Sequence, residues 1–203
     1  MTPTIATKRI DLHSNKKCAF ANIVTNSGFH FHVRAAHPKD EAELSDFFKH
    51  VTPEDLRFRF LSGLREVGHN HLVEMTRDDD PTKISFFAVS ADDGAMIATG
   101  MLAAEPDGET AEVALAVRAD MKHHGIAWSL LHHILDYAEA HGIKAVESIE
   151  SADHKAAINL EREMGFTAQI DPEDARLRIV KYVFKIPAND KQVHEAKTSV
   201  RVD

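Results

Sequence analysis

The chain has 203 residues, 43% of them hydrophobic and 28% charged, with 24 basic against 32 acidic side chains and a net charge of −8. These are globular proportions, at a length where one domain buries roughly 70% of the surface its unfolded chain exposes, so no disulfide or metal staple is needed. The acidic balance argues against a nucleic-acid partner, and the single cysteine, Cys18, excludes an intramolecular disulfide and fits a reducing compartment.

The first 28 residues show little pattern and read as an arm or an extra edge strand. No apolar run reaches the ~18 residues of a membrane span, and the basic, then apolar, then small-residue order of a secretory signal is missing. A cytoplasmic protein with no membrane partner is expected. Phe29 to Arg34 alternates as a strand. Leu44, Phe47, Phe48 and Val51 then follow helical spacing, with Asp40 and Glu43 placed for a capping box. Thr52-Pro53 opens a second short helix, and a third lies near Asn70 to Met75. Ile84 to Ser90, Met96 to Ala103 and Thr110 to Val117 read as strands separated by Asp93-Gly94 and Asp107-Gly108, both strong hairpin signals. A long helix runs from about Gly125 to Ala140, then a strand from Lys144 to Ile149. The helix from Asp153 to Met164 turns Ala156, Ala157, Leu160 and Met164 inward, and Gly165 suits its left-handed cap. Arg176 to Phe184 is the last strand, and residues 186–203 read as a loose tail. Helices layered on a mixed, mostly antiparallel sheet make one α/β (α+β) domain over residues 29–185.

The informative segment runs from Ala111 to Ala127, where a strand enters a short turn that opens a helix at Gly125. Exposed amides at a helix start bind anions, and the small Gly125 and Ala127 let a phosphate approach the backbone. Lys122-x-x-Gly125-x-Ala127 resembles the Q/R-x-x-G-x-G/A acyl-CoA motif of the GNAT superfamily of N-acetyltransferases. Pro53 to Phe60, the Glu112 strand, Asp136-Tyr137-Ala138, Met164-Gly165-Phe166 and Asp171 to Asp174 resemble the acetyltransferase domain of bacterial protein-lysine acetyltransferases. The resemblance implies the GNAT fold, with its fourth and fifth strands splayed. It also implies acetyl-CoA as cosubstrate, pantetheine along Leu115, Ala116 and Val117, and pyrophosphate on the amides of His123, His124, Gly125, Ile126 and Ala127. Lys122 stands in the Gln/Arg position, either touching the phosphates or solvated. His154 stands where the family often has asparagine.

A lysine amine, with a pKa of about 10.4, needs a base before it can attack a thioester. The resemblance gives that role to Glu112. Strand alternation groups Glu112 with Ala114 and Ala116, which leaves space beside its carboxylate. Three departures stand out: His123 replaces a frequent glycine, His124 a frequent arginine, and Glu161 the tyrosine that many relatives use as acid. Glu161 is expected to be a solvated helix glutamate with no acid role. The 14 histidines show no zinc-site spacing, so no metal is expected.

The leading expectation is acetylation of protein lysines by direct amine attack. Small-amine acetylation and a non-catalytic acyl-CoA sensor are the alternatives. Acceptor choice falls to loops around Leu56 to Asp78 and after Gly165. The oligomeric state is open, a homodimer being one option.

Overall fold

A computed structural model describes residues 10–14, 16–64 and 66–185, without the side chains of residues 16 and 17. The expected tail at 186–203 and the first nine residues of the arm lie outside the described residues. Farther along the arm, β1 (Ala21–Val24) pairs antiparallel with β2 (His30–Ala35), from Ala21↔Val33 to Val24↔His30.

A tight turn at Pro38–Asp40 leads into α1 (Glu41–Lys49), followed by α2 (Pro53–Phe60) and α3 (His69–Thr76). The Asp40–Glu43 capping box is not made. Asp40 accepts instead from the His37 N–H at 2.8 Å and the Arg34 guanidinium at 2.6 Å, so its carboxylate serves the preceding turn. Thr52 does cap α2, accepting from the Asp55 N–H at 3.1 Å with Pro53 at the first helical position.

Then come β3 (Lys83–Ser90), β4 (Met96–Ala104), β5 (Thr110–Val117), α4 (Ile126–Ala140) and β6 (Ala145–Ser151). α5 (Lys155–Glu163), β7 (Thr167–Ile170) and β8 (Leu177–Val183) complete the order. Among the described residues, eight strands form one sheet in the order β1-β2-β3-β4-β5-β6-β8-β7. β7 has no counterpart among the expected elements. Its residues are mostly exposed and lack apolar alternation, so pairing with β8 rather than burial fixes it. No helix among the described residues is long and apolar enough to cross a membrane.

Helices cover both faces of the sheet. On one, Leu130, Leu131 and Ile134 of α4 pack with Phe86, Ile97 and Val113, and Ile158 of α5 joins the same cluster. On the other, Leu44, Phe47 and Leu72 cover Phe87 and Ala116. Fully burying such side chains contributes about 1.5–3 kcal/mol each. α4 lies so close to β4 that a Cβ on Gly100 would stand 2.5 Å from Ile134 Cδ1. In α5, Ala156 is exposed and Ile158 takes the core position expected of it, while Phe166 is buried beyond a left-handed Gly165 with φ 99°.

Among the described residues, every pairing is antiparallel except that of β5 with β6, which run parallel and meet only at Thr110↔Ala145, Ala111↔Val146 and Glu112↔Glu147. Beyond Glu112 they part. β5 continues against β4 as far as Val117, and β6 against β8 as far as Ser151. The mixed, mostly antiparallel sheet with its expected splay is thus the observed architecture.

Candidate active site

The wedge between β5 and β6 opens into a cleft of ≈ 630 Å³ bounded by α2, the start of α4 and α5. From Val113 onward one edge of β5 has no strand partner among the described residues and faces this gap. The loop after β5 is held from both sides. The Arg118 N–H donates to Ile97 O at 3.0 Å and the Ala119 N–H to His50 O at 2.9 Å. Lys122 Nζ pairs with Asp55 Oδ2 at 2.6 Å, tying the loop to α2. On the other side, Ser27 Oγ donates to His124 O at 2.8 Å.

His123 and Gly125 adopt left-handed conformations, with φ of 67° and 78°. Glycine takes this conformation without steric cost; histidine does not, which explains why a glycine suits the position of His123. Gly125 is also packed tightly, since a Cβ there would lie 3.3 Å from Thr25 Cβ. The 15-residue α4 starts immediately after it with no acidic residue in its first turn, so the positive end of its dipole faces the cleft uncompensated.

The structure brings together Glu112, Leu115, Ala116, Val117, Lys122, His123, Gly125, Ile126, Ala127 and His154 as cleft-lining residues. His124 is absent from that lining, and its ring lies 5.4 Å from the Phe29 ring. The Lys122 charge is committed to Asp55 rather than left free in solvent.

Glu112 is half-buried on the α2 side of the wedge. Burial raises its carboxyl above the usual range, Glu105 and Glu147 add to the rise, and Arg59 opposes it. Arg59 on α2 is pushed down to about 10 by burial, against the pull of Glu112 and Glu150. Its Nε is buried with no hydrogen-bond partner among the described residues. Glu150 holds His154 Nδ1 at 2.6 Å, and the His154 ring stacks on Phe58 at 4.2 Å.

Glu161 corrects an expectation: it is not solvated but 3% exposed, at the cleft wall. Its Oε1 accepts from Ser148 Oγ at 2.5 Å, and its Oε2 is buried without a partner among the described residues. Spacing held a signal for this, because Glu161 lies four residues after the inward-turned Ala157. Arg59 and Glu150 carried no such signal. Arg59 of α2 feels the charges of both Glu112 and Glu150, which come from β5 and β6. Among the described residues, no group of three or more His, Cys, Asp or Glu side chains is placed to hold a metal ion.

The sheet splays beside the start of α4, and comparison with known proteins gives the class. The acetyltransferase (GNAT) family profile matches residues 46–166. An acetyltransferase of Pseudomonas aeruginosa, PA5475, is 26% identical over 152 residues, 74% of this chain and 82% of that protein. The GNAT domain of S. lividans PAT superposes with TM-score 0.75 at 21% identity, covering 81% of this chain and 97% of that one. A spermidine N-acetyltransferase from Vibrio cholerae, solved with CoA and spermine, gives TM-score 0.62 at 16% identity, covering 75% and 95%. The chain belongs to the GNAT family of acetyltransferases and is an acetyl-CoA-dependent N-acetyltransferase.

Proposed function

We propose that this enzyme acetylates lysine side chains of proteins, with Glu112 as the general base. The observation that carries the reading is Glu112 itself: a half-buried carboxylate with a raised pKa, at the last paired position before β5 and β6 separate. A raised carboxyl is a stronger base when ionised, and so better matched to a protonated amine. Glu54, Asp55, Glu150 and Asp153 line the same cleft, an acidic approach that suits a cationic acceptor.

The residues present fit acetyl-CoA. The unpartnered β5 edge at Leu115 to Val117 suits the pantetheine amides, and an N–H there would stabilise the oxyanion formed on attack. The amides of His123, Gly125, Ile126 and Ala127 suit the pyrophosphate. With its ring turned to Phe29, His124 would contribute through its main chain alone. Paired with Asp55, Lys122 shapes the turn more than it charges the phosphate site. His154, fixed between Glu150 and Phe58, closes the opposite wall.

The test offers labelled acetyl-CoA with a proteome extract and with a panel of small amines, to wild type and Glu112→Gln. Label on protein lysines, abolished in the variant while CoA still binds, is the expected outcome. Label confined to small amines such as polyamines overturns the acceptor assignment, and undiminished transfer by the variant overturns the base.

A further inference from the structure

The turn between β1 and β2 has no part in the reading above, yet it reaches the donor cradle. The arm that leads into it lies along α4 from the last turn of the helix to the first. Leu12 O accepts from the Tyr137 hydroxyl, and the His133 ring bonds the Ala19 backbone. Thr25 and Ser27 then stand against Gly125 and His124. From Gly125 to Tyr137 a helix advances about 18 Å, so the arm is a strap along the element whose first amides form the cradle.

At the cradle the strap ends in a directed chain of hydrogen bonds. The Phe29 N–H donates to Thr25 Oγ1 at 3.1 Å, Thr25 Oγ1 meets Ser27 Oγ at 2.8 Å, and Ser27 Oγ donates to His124 O at 2.8 Å. Ser27 has one hydroxyl proton and the His124 carbonyl takes it, so the Thr25 hydroxyl is the donor between the two. Each hydroxyl accepts and donates at once, which strengthens both bonds. Thr25 is 4% exposed, and a Cβ on Gly125 would lie 3.3 Å from Thr25 Cβ, so close packing accompanies the chain.

A trans peptide unit is planar, with its C=O and N–H opposed. Holding His124 O on Ser27 therefore turns the Gly125 N–H away from the arm. Gly125 lines the cleft, whereas Thr25 and Ser27 stand outside its lining. The neighbouring His123 is left-handed at φ 67°, a conformation that a residue other than glycine keeps only where its surroundings impose it. We propose that Ser27, oriented by Thr25, is a positioning residue for donor binding: it fixes the His124–Gly125 peptide so that the Gly125 N–H meets the diphosphate of acetyl-CoA. The inference rests on the cradle proposed above, and it gives the N-terminal arm a part in the donor site.

The test compares Ser27→Ala, Ser27→Thr and Thr25→Val with wild type, using acetyl-CoA and S-acetylpantetheine, a donor without the diphosphate. Ser27→Ala should raise the KM for acetyl-CoA, and the calorimetric Kd of CoA, roughly 3- to 10-fold, the worth of one ordinary hydrogen bond. Neither kcat nor the KM for S-acetylpantetheine should move. Amide exchange across residues 123–127 of the free protein should quicken in the same variant. Ser27→Thr keeps a hydroxyl at an exposed position and should restore wild-type affinity. Thr25→Val keeps the packing on Gly125 and removes the hydroxyl, so it should show the same selective loss, smaller in size. Wild-type CoA affinity in Ser27→Ala, an equal loss with both donors, or a loss that Ser27→Thr does not restore overturns the inference. If Ser27→Ala does not fold, Thr25→Val with the same pair of donors decides. A failed cradle shows differently and overturns both readings: wild type itself would then bind CoA no more tightly than pantetheine.

Discussion

Glu112 and Glu161 are carboxyl groups on the two walls of one wedge, and their neighbours separate them. Glu112 is half-buried and answered by the Arg59 guanidinium, which restrains the rise that burial causes. Glu161 is almost wholly buried, repelled by Glu150 and supported by one hydroxyl, and reaches about 8. The same side chain is thus restrained by a cation on one wall and left without one on the other, so environment, not residue type, sets how readily each holds its proton.

The comparison breaks most decisively at Glu112. Glu112→Gln should lower kcat by about 10²–10⁴-fold while calorimetry finds CoA affinity within about twofold of wild type. A variant at wild-type kcat would leave the α2 wall without a base. The next effect is on stability. The folded-state pKa of Glu161 lies above its ordinary 4.5, so the native state binds more protons than the unfolded chain between about 4.5 and about 8. Stability from this group is full below that window and is lost as pH rises through it. At about 1.4 kcal/mol per pKa unit, the loss is on the order of a few kcal/mol. Thermal melts at about pH 5 and pH 9 should therefore show Glu161→Gln gaining on wild type at the higher pH, and parallel melts would mean that the group is ionised throughout.

Arg59→Met removes the cation that holds Glu112 down. The acidic limb of the kcat profile should move to higher pH, whereas Arg59→Lys should leave it near its wild-type position. A limb that stays put in Arg59→Met would show that burial alone sets Glu112. The smallest expected change is at the cradle. Gly125→Ala places a Cβ on a left-handed residue, 3.3 Å from Thr25 Cβ. It should cost about 1 kcal/mol in a denaturant titration and raise the KM for acetyl-CoA a few-fold, with kcat preserved.

The meander from β3 to β5 was legible because long apolar runs end at Asp93-Gly94 and Asp107-Gly108, whose glycines do take positive φ. The splay was legible only through the family resemblance, since no periodicity marks where a strand loses its partner. β7 was not legible at all, because its pairing is backbone work and its side chains face solvent. At the site, the turn from His123 to Ala127 was readable as a local pattern. The Arg59–Glu112–Glu150 grouping was not, because α2, β5 and β6 converge only in three dimensions. Asp40 shows the opposite failure, where a local motif was outbid by Arg34 and His37.

The three rungs joining β5 to β6 have a mechanical meaning. Among the described residues, five strands hang together on one side of that seam and three on the other, with ladders of four to seven rungs within each block. Under tension the molecule should tear along the seam first. A carrier lying in the gap would act as a suture, so resistance to pulling should report occupancy before any product is made.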